Sequence, residues 1–348
     1  MRIIVFISLM VVFIGSLILI TQKGNAQSSL LMQEKHLKNL RQLTFGGKNA
    51  EAYFSFDGTK LIFQATRNGF QCDQIFIMRS DGSDVHLVST GKGQTTCAYF
   101  FPDGKKILYS STHHRHPDCP PPLPRGKRFI WPLHPYEIFT IYMDGSGLKQ
   151  LTFTGDYNAE ATVSKDGEIV FTSLREGDLD IYKMNPDGSG LKRLTHQRGY
   201  DGGPFFSADG KKIVYRAYHP KDPKELEEYE KDLTMRQIVG GRLELFVMKS
   251  DGNDQKQVTN NGASNFCPFF HPNGKQIIFS SNLHLPEGRE FNLYLINIDG
   301  TGLERLTYHP GFDAFPMFSP DGKRLVFISN RNAKQPGEFN VFIGDWIP

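Results

Sequence analysis

The chain contains a recurring alternation of apolar and polar positions, clearest in residues 311–327, which read GFDAFPMFSPDGKRLVF. Phe315, Met317 and the run after Lys323 follow the period of two that is typical of β-strands. Between them, Asp321 is followed by glycine, which favours a tight hairpin turn because glycine adopts positive φ without steric cost. The pattern therefore predicts a strand, a turn and a second strand.

The same turn recurs along the chain at intervals of 43 to 64 residues. Glycine follows each of Asp57, Asp103, Asp166, Asp209, Asn273 and Asp321. A Leu-Thr-like pair precedes each turn with nearly the same spacing, ending at Thr44, Ser89, Thr152, Thr195, Thr259 and Thr307. A second series of turns begins at Asp81, Asp144, Asp187, Asp251 and Asp299. Agreement between independent markers predicts a repeated unit of four short strands.

The last unit supplies only three of its four strands. The missing strand is available at residues 40–45, which carry a Leu-Thr pair with no strand before it. Pairing between the two ends of the chain would remove two open sheet edges. The sequence therefore predicts an all-β fold, a six-bladed β-propeller of four-stranded antiparallel blades whose last blade is closed by the N-terminal strand.

Two stretches carry a more specific signature. Residues 194–212 and 306–323 follow the pattern Leu-Thr, then Asp-x-x-Pro-x-Phe-Ser-Pro-Asp-Gly-Lys, and residues 181–195 contain Ile-Tyr-x-Met-x-x-Asp-Gly-Ser-Gly. This pattern resembles the TolB-type propeller repeat, from about residue 40 onwards and without the N-terminal domain that TolB carries. The resemblance implies a role near the cell envelope and a peptidoglycan-associated lipoprotein partner, although this scaffold hosts many unrelated activities.

Residues 1–26 differ from the rest of the chain. Arg2 precedes an almost wholly apolar run at residues 3–20, and Gly24 and Ala26 are small. This predicts a secretory signal peptide cleaved before Gln27; the alternative is an uncleaved anchor, which would supply any membrane contact. The predicted organisation is a signal peptide at 1–26, a lead-in at 27–39 and one propeller at 40–348, in a periplasmic or secreted protein.

The charge is balanced, with 40 basic and 37 acidic residues and a net charge of +3. A nucleic-acid surface would need a clustered basic excess, so we expect no nucleic-acid partner. The sequence contains no G-x-S-x-G, no H-E-x-x-H and no phosphate-binding glycine loop. We therefore assign no catalytic residue.

Two blades carry long insertions between their second and third strands, at residues 112–136 and 218–242. Both fall on the face opposite the Asp-Gly turns, so only one face is elaborated, and loops on a rigid scaffold commonly carry function. The first insertion is rich in proline and is predicted to be extended. In the second, Asp222 and Pro223 favour a helix start, after which Leu226, Tyr229 and Leu233 share one helical face.

The first insertion also contains several histidines. His113, His114 and His116 are candidate ligands for a divalent cation, because imidazole suits zinc, manganese or copper. Their spacing matches no specific zinc motif, and a solvent-exposed loop that contains some histidines is the alternative. His219 and His284 are predicted to lie in loops on the same face.

Alignment of the six innermost strands on their turns places two residues of each strand near the central axis. The first series is polar in every blade: Asn49, Thr95, Asn158, Asp201, Asn265 and Asp313. The second series lies two residues nearer the turn: Glu51, Cys97, Glu160, Gly203, Cys267 and Phe315. Recurrence in all six blades favours a structural use for the first series, in which short polar side chains bond the backbone, whereas the second series varies between blades, as a ligand site would.

We therefore expect a ligand site at this channel mouth. Its predicted residues are Asn49, Glu51, Asn158, Glu160, Asp201, Asn265 and Asp313. Among them, Glu51 and Glu160 would hold a cation or a cationic group of a partner.

The chain has four cysteines, and an exported protein meets an oxidising compartment. Cys72 and Cys119 fall in equivalent loops of neighbouring blades and form the predicted disulfide. Cys97 and Cys267 fall in blades that face each other across the axis, too far apart for a disulfide, so we expect both to be free.

Together these features predict an exported, non-catalytic module that binds a protein segment or another ligand on the elaborated face. The alternative is an enzyme, because the repeats also resemble those of oligogalacturonate lyases, which hold a divalent metal through histidines and act on acidic sugars. Convergence of three imidazoles on one point would favour the lyase, and scattered histidines would favour the binding module.

Overall fold

The structure is a computed structural model that describes residues 34–121 and 129–348. Within them, six four-stranded antiparallel sheets form the blades of a β-propeller, accompanied by one two-stranded sheet. The predicted fold class and blade number are confirmed. The predicted signal peptide at residues 1–26 lies outside the described residues.

The strands are short and follow one another in chain order. The first fourteen are β1 (Leu37–Gln42), β2 (Lys48–Phe54), β3 (Lys60–Thr66), β4 (Gln74–Arg79), β5 (His86–Leu87), β6 (Thr95–Phe100), β7 (Lys106–Ser111), β8 (Phe129–Pro132), β9 (Glu137–Tyr142), β10 (Lys149–Gln150), β11 (Asn158–Val163), β12 (Ile169–Ser173), β13 (Asp180–Met184) and β14 (Lys192–Arg193). The remaining elements are β15 (Tyr200–Phe206), β16 (Lys212–Tyr218), helix α1 (Pro223–Thr234), β17 (Gln237–Gly240), β18 (Glu244–Lys249), β19 (Lys256–Gln257), β20 (Asn265–Phe270), β21 (Gln276–Ser281), β22 (Asn292–Asn297), β23 (Glu304–Arg305), β24 (Asp313–Phe318), β25 (Arg324–Ser329) and β26 (Asn340–Trp346).

Each blade is built from consecutive strands, apart from the two interrupted by insertions. Blade one contains β2 to β5, blade two β6, β7, β9 and β10, and blade three β11 to β14. Blade four contains β15, β16, β18 and β19, blade five β20 to β23, and blade six β24 to β26 with β1. The remaining strands, β8 and β17, pair with each other outside the blades.

The N-terminal strand closes the last blade. β1 pairs with β26, so the strand begins at Leu37, opposite Trp346, rather than at residue 40. Just before it, Glu34 is only 1% exposed and forms an ion pair with Arg331 at 2.8 Å. Arg331 also contacts Asp313 of β24 at 2.7 Å. This buried network connects the segment before β1 to the rest of blade six.

The hydrophobic core lies between the blades. The second and third strands are almost wholly buried; in β3, for example, Leu61, Ile62 and Phe63 have no exposed surface. Neighbouring blades cover both faces of such strands, so the strands are continuous apolar runs rather than alternating ones.

The Asp-Gly turns are supported by a repeated set of hydrogen bonds. In the first blade, Asp57 accepts hydrogen bonds from the Ser55 hydroxyl at 2.6 Å and the Thr59 backbone N–H at 3.0 Å. The glycine within each of these turns, directly after the Asp or Asn, has positive φ. The turn chemistry predicted from the sequence is therefore the chemistry that the fold uses.

The two insertions meet above one end of the channel. In the second, Asp222 caps helix α1 by accepting hydrogen bonds at 2.9 Å from the backbone N–H groups of Lys224 and Glu225, which confirms the predicted helix. In the first, residues 129–132 form β8, which pairs antiparallel with β17 of the second insertion. The prediction that this insertion is extended agrees with β8, although its pairing with β17 was not predicted. We call β8, β17 and α1 the roof.

The roof is packed onto the blades beneath it. Tyr229 of α1 is buried, and its hydroxyl donates a hydrogen bond to Asp178 at 2.6 Å. Trp131 of β8 and Ile238 of β17 belong to an apolar cluster that also contains Tyr200 and Phe266 of the innermost strands. The roof is therefore part of the hydrophobic structure around the channel mouth.

Candidate functional site

Every innermost strand contains a β-bulge at the second series of axial residues. The pairing register shifts at this point in all six blades. The residue at each bulge has a left-handed conformation, with φ between 50° and 59°. We call these residues the bulge positions: Glu51, Cys97, Glu160, Gly203, Cys267 and Phe315. A bulge re-aims a side chain, and all six line one cavity.

This cavity lies between the channel mouth and the roof and has a volume of about 1190 Å³. Pockets for small molecules commonly measure roughly 300–1,000 Å³, so this one is large enough for a chain segment or a multi-ring ligand. Its lining is rich in aromatic side chains from all parts of the mouth, including Tyr53, Trp131, Tyr136, Tyr157, Tyr200, Phe205, Phe266, Phe291, Phe312, Phe315 and Phe339.

Glu160 is the most fully bonded of the predicted acidic residues. Its carboxylate accepts hydrogen bonds from the Thr172 hydroxyl at 2.8 Å and from the backbone N–H of Gly203 at 2.9 Å. The Tyr200 hydroxyl donates a third at 3.3 Å, and the guanidinium of Arg216 forms an ion pair with the same group. These donors come from β12, β15 and β16, so Glu160 joins blades three and four.

Arg216 is buried and has aromatic rings around its charge. Its guanidinium carbon lies 5.1 Å from the ring centre of Trp131 and 5.6 Å from that of Tyr200. Both distances are within the range of cation–π attraction. Burial alone would lower the pKa of Arg216, but Glu160 and Tyr200 raise it well above its ordinary value, so the guanidinium stays charged.

Gly203 makes room for this ion pair. A Cβ atom at position 203 would overlap the guanidinium of Arg216, and the residue has φ of +59°. Glycine is the residue that satisfies both demands without strain. The absence of a side chain at position 203 therefore allows Arg216 to reach Glu160.

Glu51 occupies the equivalent bulge position in blade one but has a different environment. It is half-buried at the cavity wall, and its side-chain hydrogen-bond donor is the Cys97 thiol, at 3.7 Å. Burial raises the pKa of Glu51 from 4.5 to about 7; the Cys97 thiol opposes this shift and Glu160 adds to it. Near neutral pH, Glu51 therefore exchanges between charged and neutral forms.

The first axial series has a structural use in every blade, because its side chains are buried and bonded. Asn49 donates to the backbone carbonyl of Phe339 at 2.7 Å, and Asn265 donates to that of Leu243 at 2.8 Å. Similar bonds within or between blades are made by Thr95, Asn158, Asp201 and Asp313. Of the predicted ligand residues, Glu51 and Glu160 face the cavity, with Asn49 beside them, whereas Asn158, Asp201, Asn265 and Asp313 connect strands.

The predicted metal ligands are not brought together. The ring of His113 packs 4.4 Å from that of Phe139, whereas His116 is exposed. His114 is half-buried, and neither ring nitrogen has a hydrogen-bond partner among the described residues. Within residues 34–121 and 129–348, no group of three or more His, Cys, Asp or Glu residues could hold a metal ion. The rings of His113 and His114 thus pack beside each other on Phe139, with centroids 6.4 Å apart, while His116 faces solvent.

His219 and His284, the other two histidines predicted on this face, have partners of their own. His219 Nε2 lies 3.0 Å from Asp201, and His284 Nδ1 lies 3.2 Å from the Tyr294 hydroxyl. These pairs lie in different blades, so the imidazoles do not surround one point.

The cysteines fall into two pairs. Cys72 and Cys119 are joined in a disulfide with Cα atoms 5.7 Å apart, which ties the loop before β4 to the first insertion. Cys97 and Cys267 are free and buried, and both line the cavity. Burial raises the pKa of each thiol well above its ordinary value, which keeps both protonated.

Sequence reasoning missed Arg216 and the roof residue Trp131. The available signal for Arg216 was a charged residue within the otherwise apolar strand β16, whose sequence is KIVYRAY. A charge in a fully buried strand needs a partner. Trp131 had no comparable signal, because its contacts depend on the pairing of β8 with β17.

Comparison with known proteins agrees with this geometry. Residues 231–341 match the family model of the TolB beta propeller domain. The putative TolB from Agrobacterium tumefaciens superposes with a TM-score of 0.57 at 18% identity, covering 88% of this chain and 94% of that one. TolB from Acinetobacter baumannii superposes with a TM-score of 0.55 at 18% identity, covering 86% of this chain and 64% of that one.

A third similar structure is an oligogalacturonate lyase in complex with manganese. It superposes with a TM-score of 0.54 at 13% identity, covering 88% of this chain and 93% of that one. No curated protein matches the sequence. The fold is thus a six-bladed β-propeller, and the predicted resemblance is confirmed: the propeller is TolB-like. Identities this low show the fold and leave the activity open.

Within the described part of the chain, no helix, α1 included, is both long and apolar enough to cross a membrane.

Proposed function

We propose that this protein is an exported, non-catalytic binding module of the cell envelope. Its ligand, a segment of a partner protein or another molecule, would occupy the cavity beneath the roof. The observation that carries the proposal is the roofed cavity itself, because both long insertions contribute to one enclosure over the channel mouth. Export rests on the signal peptide predicted at residues 1–26.

The lyase-like alternative depends on imidazoles that converge on one metal. In the described residues, His113 and His114 pack on Phe139, His219 pairs with Asp201 and His284 contacts Tyr294 instead. The similarity to the lyase is one of fold, so we do not advance this activity.

Binding can be tested by screening the full chain against a random peptide library and an oligosaccharide array. Gly241 lines the cavity, and a Cβ atom there would meet nothing within 4 Å, so Gly241→Trp would obstruct the cavity without a clash at Cβ. Leu148→Trp adds the same side chain on the opposite face, at an exposed position. We expect ligands that bind the wild type and Leu148→Trp but not Gly241→Trp. Binding that survives Gly241→Trp, or no binding in the screen, would contradict the proposal.

Export can be tested separately by N-terminal sequencing of the purified protein and by fractionation of the cells that produce it. We expect the mature chain to begin at Gln27 and to be released with the periplasmic contents. An intact N-terminus in the cytosolic fraction would contradict this part of the proposal.

A further inference from the structure

The cavity has two chemically different sides. Blades five and six contribute a continuous group of phenylalanine rings, which we call the phenylalanine wall: Phe266, Phe291, Phe312, Phe315 and Phe339. Neighbouring ring centres lie 5.0 Å apart for Phe266 and Phe291, and 5.3 Å apart for Phe312 and Phe339. All but Phe266 are only half-buried, so the wall offers apolar surface to a ligand.

Blades one to four contribute the polar side, where the lining carboxylates outside the roof are Glu51, Asp73 and Glu160. Glu160 is satisfied by Arg216 and its other donors. Asp73 accepts hydrogen bonds from the side chains of Thr66 and Gln64. Among the described residues, Glu51 accepts a hydrogen bond from the Cys97 thiol alone, at 3.7 Å. Glu51 is therefore the carboxylate of the polar side that retains capacity for a ligand.

The charge balance of the cavity differs from that of the whole chain. Among the described residues, eight acidic and five basic side chains line the cavity, whereas the full chain has a net charge of +3. A cleft with an excess of one charge concentrates ligands of the opposite charge. This cavity therefore favours a cation over an anion.

Aromatic rings line the polar side of the cavity as well, including Tyr53, which follows Glu51 by two residues on β2, and Tyr136. Burial raises the pKa values of Tyr53 and Tyr136 well above their ordinary value, and the charge of Glu51 adds to both shifts. Both rings line the cavity. An ammonium group between a carboxylate and aromatic faces gains both ionic and cation–π attraction.

We propose, resting on the binding function proposed above, that the cavity takes an amphipathic organic cation. Its ammonium group pairs with Glu51, and its apolar body packs on the phenylalanine wall. The same chemistry is offered by a free amine with an aromatic or aliphatic body and by a lysine next to an aromatic residue in a partner's chain segment.

Two small molecules that differ mainly in charge test the role of the ammonium group. The probes are 4-phenylbutylamine and the neutral 4-phenylbutanol, titrated into the full chain and followed by ligand-observed NMR. We expect the amine to bind roughly 10- to 100-fold more tightly, as for a hydrogen bond to a charged group. Glu51→Gln should remove this preference. Glu228→Gln neutralises an exposed acid on α1 that also lines the cavity, and should leave it in place.

Two further experiments test the apolar contact and the source of the amine. Phe312→Ala should weaken both probes to a similar extent and leave the preference for the amine intact. An acetylated, amidated Phe-Lys-Phe peptide, compared with the same peptide carrying norleucine, tests the peptide source. Preference for the lysine peptide over 4-phenylbutylamine would assign the site to a chain segment, and the reverse would assign it to a free amine.

The affinity for the amine should also depend on pH. Glu51 changes charge near pH 7, whereas the amine stays protonated until about pH 10. The ionisable groups that act on Glu51 are Cys97, Glu160, Arg216 and Asp73, and the first three belong to β6, β11 and β16. Affinity should therefore rise from about pH 6 to about pH 8 and become flat in Glu51→Gln.

The outcomes separate this proposal from the one on which it rests. Equal binding of amine and alcohol, unchanged by Glu51→Gln, would overturn the ligand class while leaving cavity binding in place. Absence of binding by either probe or peptide would also overturn the ligand class. Failure of the proposed function would appear instead as library ligands that still bind Gly241→Trp, or as a library and array screen that yields no ligand. Urea unfolding of each variant shows whether a lost signal reflects a lost fold.

Discussion

Glu160 and Glu51 occupy the same position of the repeat in blades three and one, yet the two regions around them differ. Both residues sit at a β-bulge, with φ of 57° and 52°. Glu160 is held by the charge of Arg216 and several hydrogen bonds. Glu51 faces the cavity with a thiol as its hydrogen-bond donor. The repeat thus determines where a carboxylate stands, and the next blade determines whether it has a partner.

The difference can be traced to two positions of the following blade. Next to Glu160, blade four has Gly203 at the bulge and Arg216 on β16, opposite Gly202. Next to Glu51, blade two has Cys97 at the bulge and Ser110 at the position equivalent to Arg216, opposite Thr96. In blade four, Arg216 supplies the cation for Glu160, and Gly203 leaves room for it. In blade two, neither Cys97 nor Ser110 supplies a cation to Glu51.

The largest effect should come from removing the cation of the paired region. Arg216→Met leaves the Glu160 carboxylate, whose side chain is only 13% exposed, without a counterion, and should lower the free energy of unfolding by about 3–5 kcal/mol. Urea denaturation measures the loss. The double variant Arg216→Met with Glu160→Gln should recover much of it, because the remaining partner is then neutral. A single variant as stable as the wild type would show that the pair contributes nothing.

The region around Glu51 should make the stability of the protein depend on pH. The pKa of Glu51 is about 7 in the fold against 4.5 ordinarily, so the fold favours its neutral form. Its contribution to stability is fully present below about pH 4.5 and is lost as the pH rises through about 7. Wild type and Glu51→Gln should therefore diverge by about 2–3 kcal/mol across this window, with the wild type losing stability. A constant difference in their urea midpoints would contradict the shifted pKa.

The space at the bulge can be tested by adding one methyl group. Gly203→Ala places a Cβ in the guanidinium of Arg216 and a side chain at φ of +59°. We expect a loss of about 2 kcal/mol in thermal or urea unfolding. Cys97→Ala is the matched control, because position 97 already carries a Cβ at similar φ, and should cost less than about 1 kcal/mol. Equal losses would show that the ion pair does not need the glycine.

The smallest expected loss of stability comes from removing one hydrogen bond in each region. Thr172→Val removes a donor to the charged Glu160, whereas Thr96→Val removes a donor to the neutral Gln64. Bonds to charged groups are stronger, so we expect losses of about 1.5 and about 0.5 kcal/mol respectively. The reverse order in urea unfolding would indicate that Glu160 carries no charge.

Much of the fold could be predicted because its signals are local. Asp57, Asp321 and their equivalents specify turns through the conformational freedom of the following glycine, and strand periodicity lies within a few residues of each turn. Chain closure followed from counting strands, although β1 begins at Leu37 because Glu34 and Arg331 anchor the segment before it. The same alignment placed Glu51 and Glu160 at the mouth.

The sequence by itself therefore determined the blades, the turns, the elaborated face and the axial positions of the protein. Only the tertiary structure decided which axial residues face the cavity, that the two insertions pair into a roof, and that Arg216 neutralises Glu160 but not Glu51. The physical reason is that a turn or a strand is encoded by neighbours in the chain. An ion pair across two blades, or a ribbon between β8 and β17, depends on residues that only the folded register brings together.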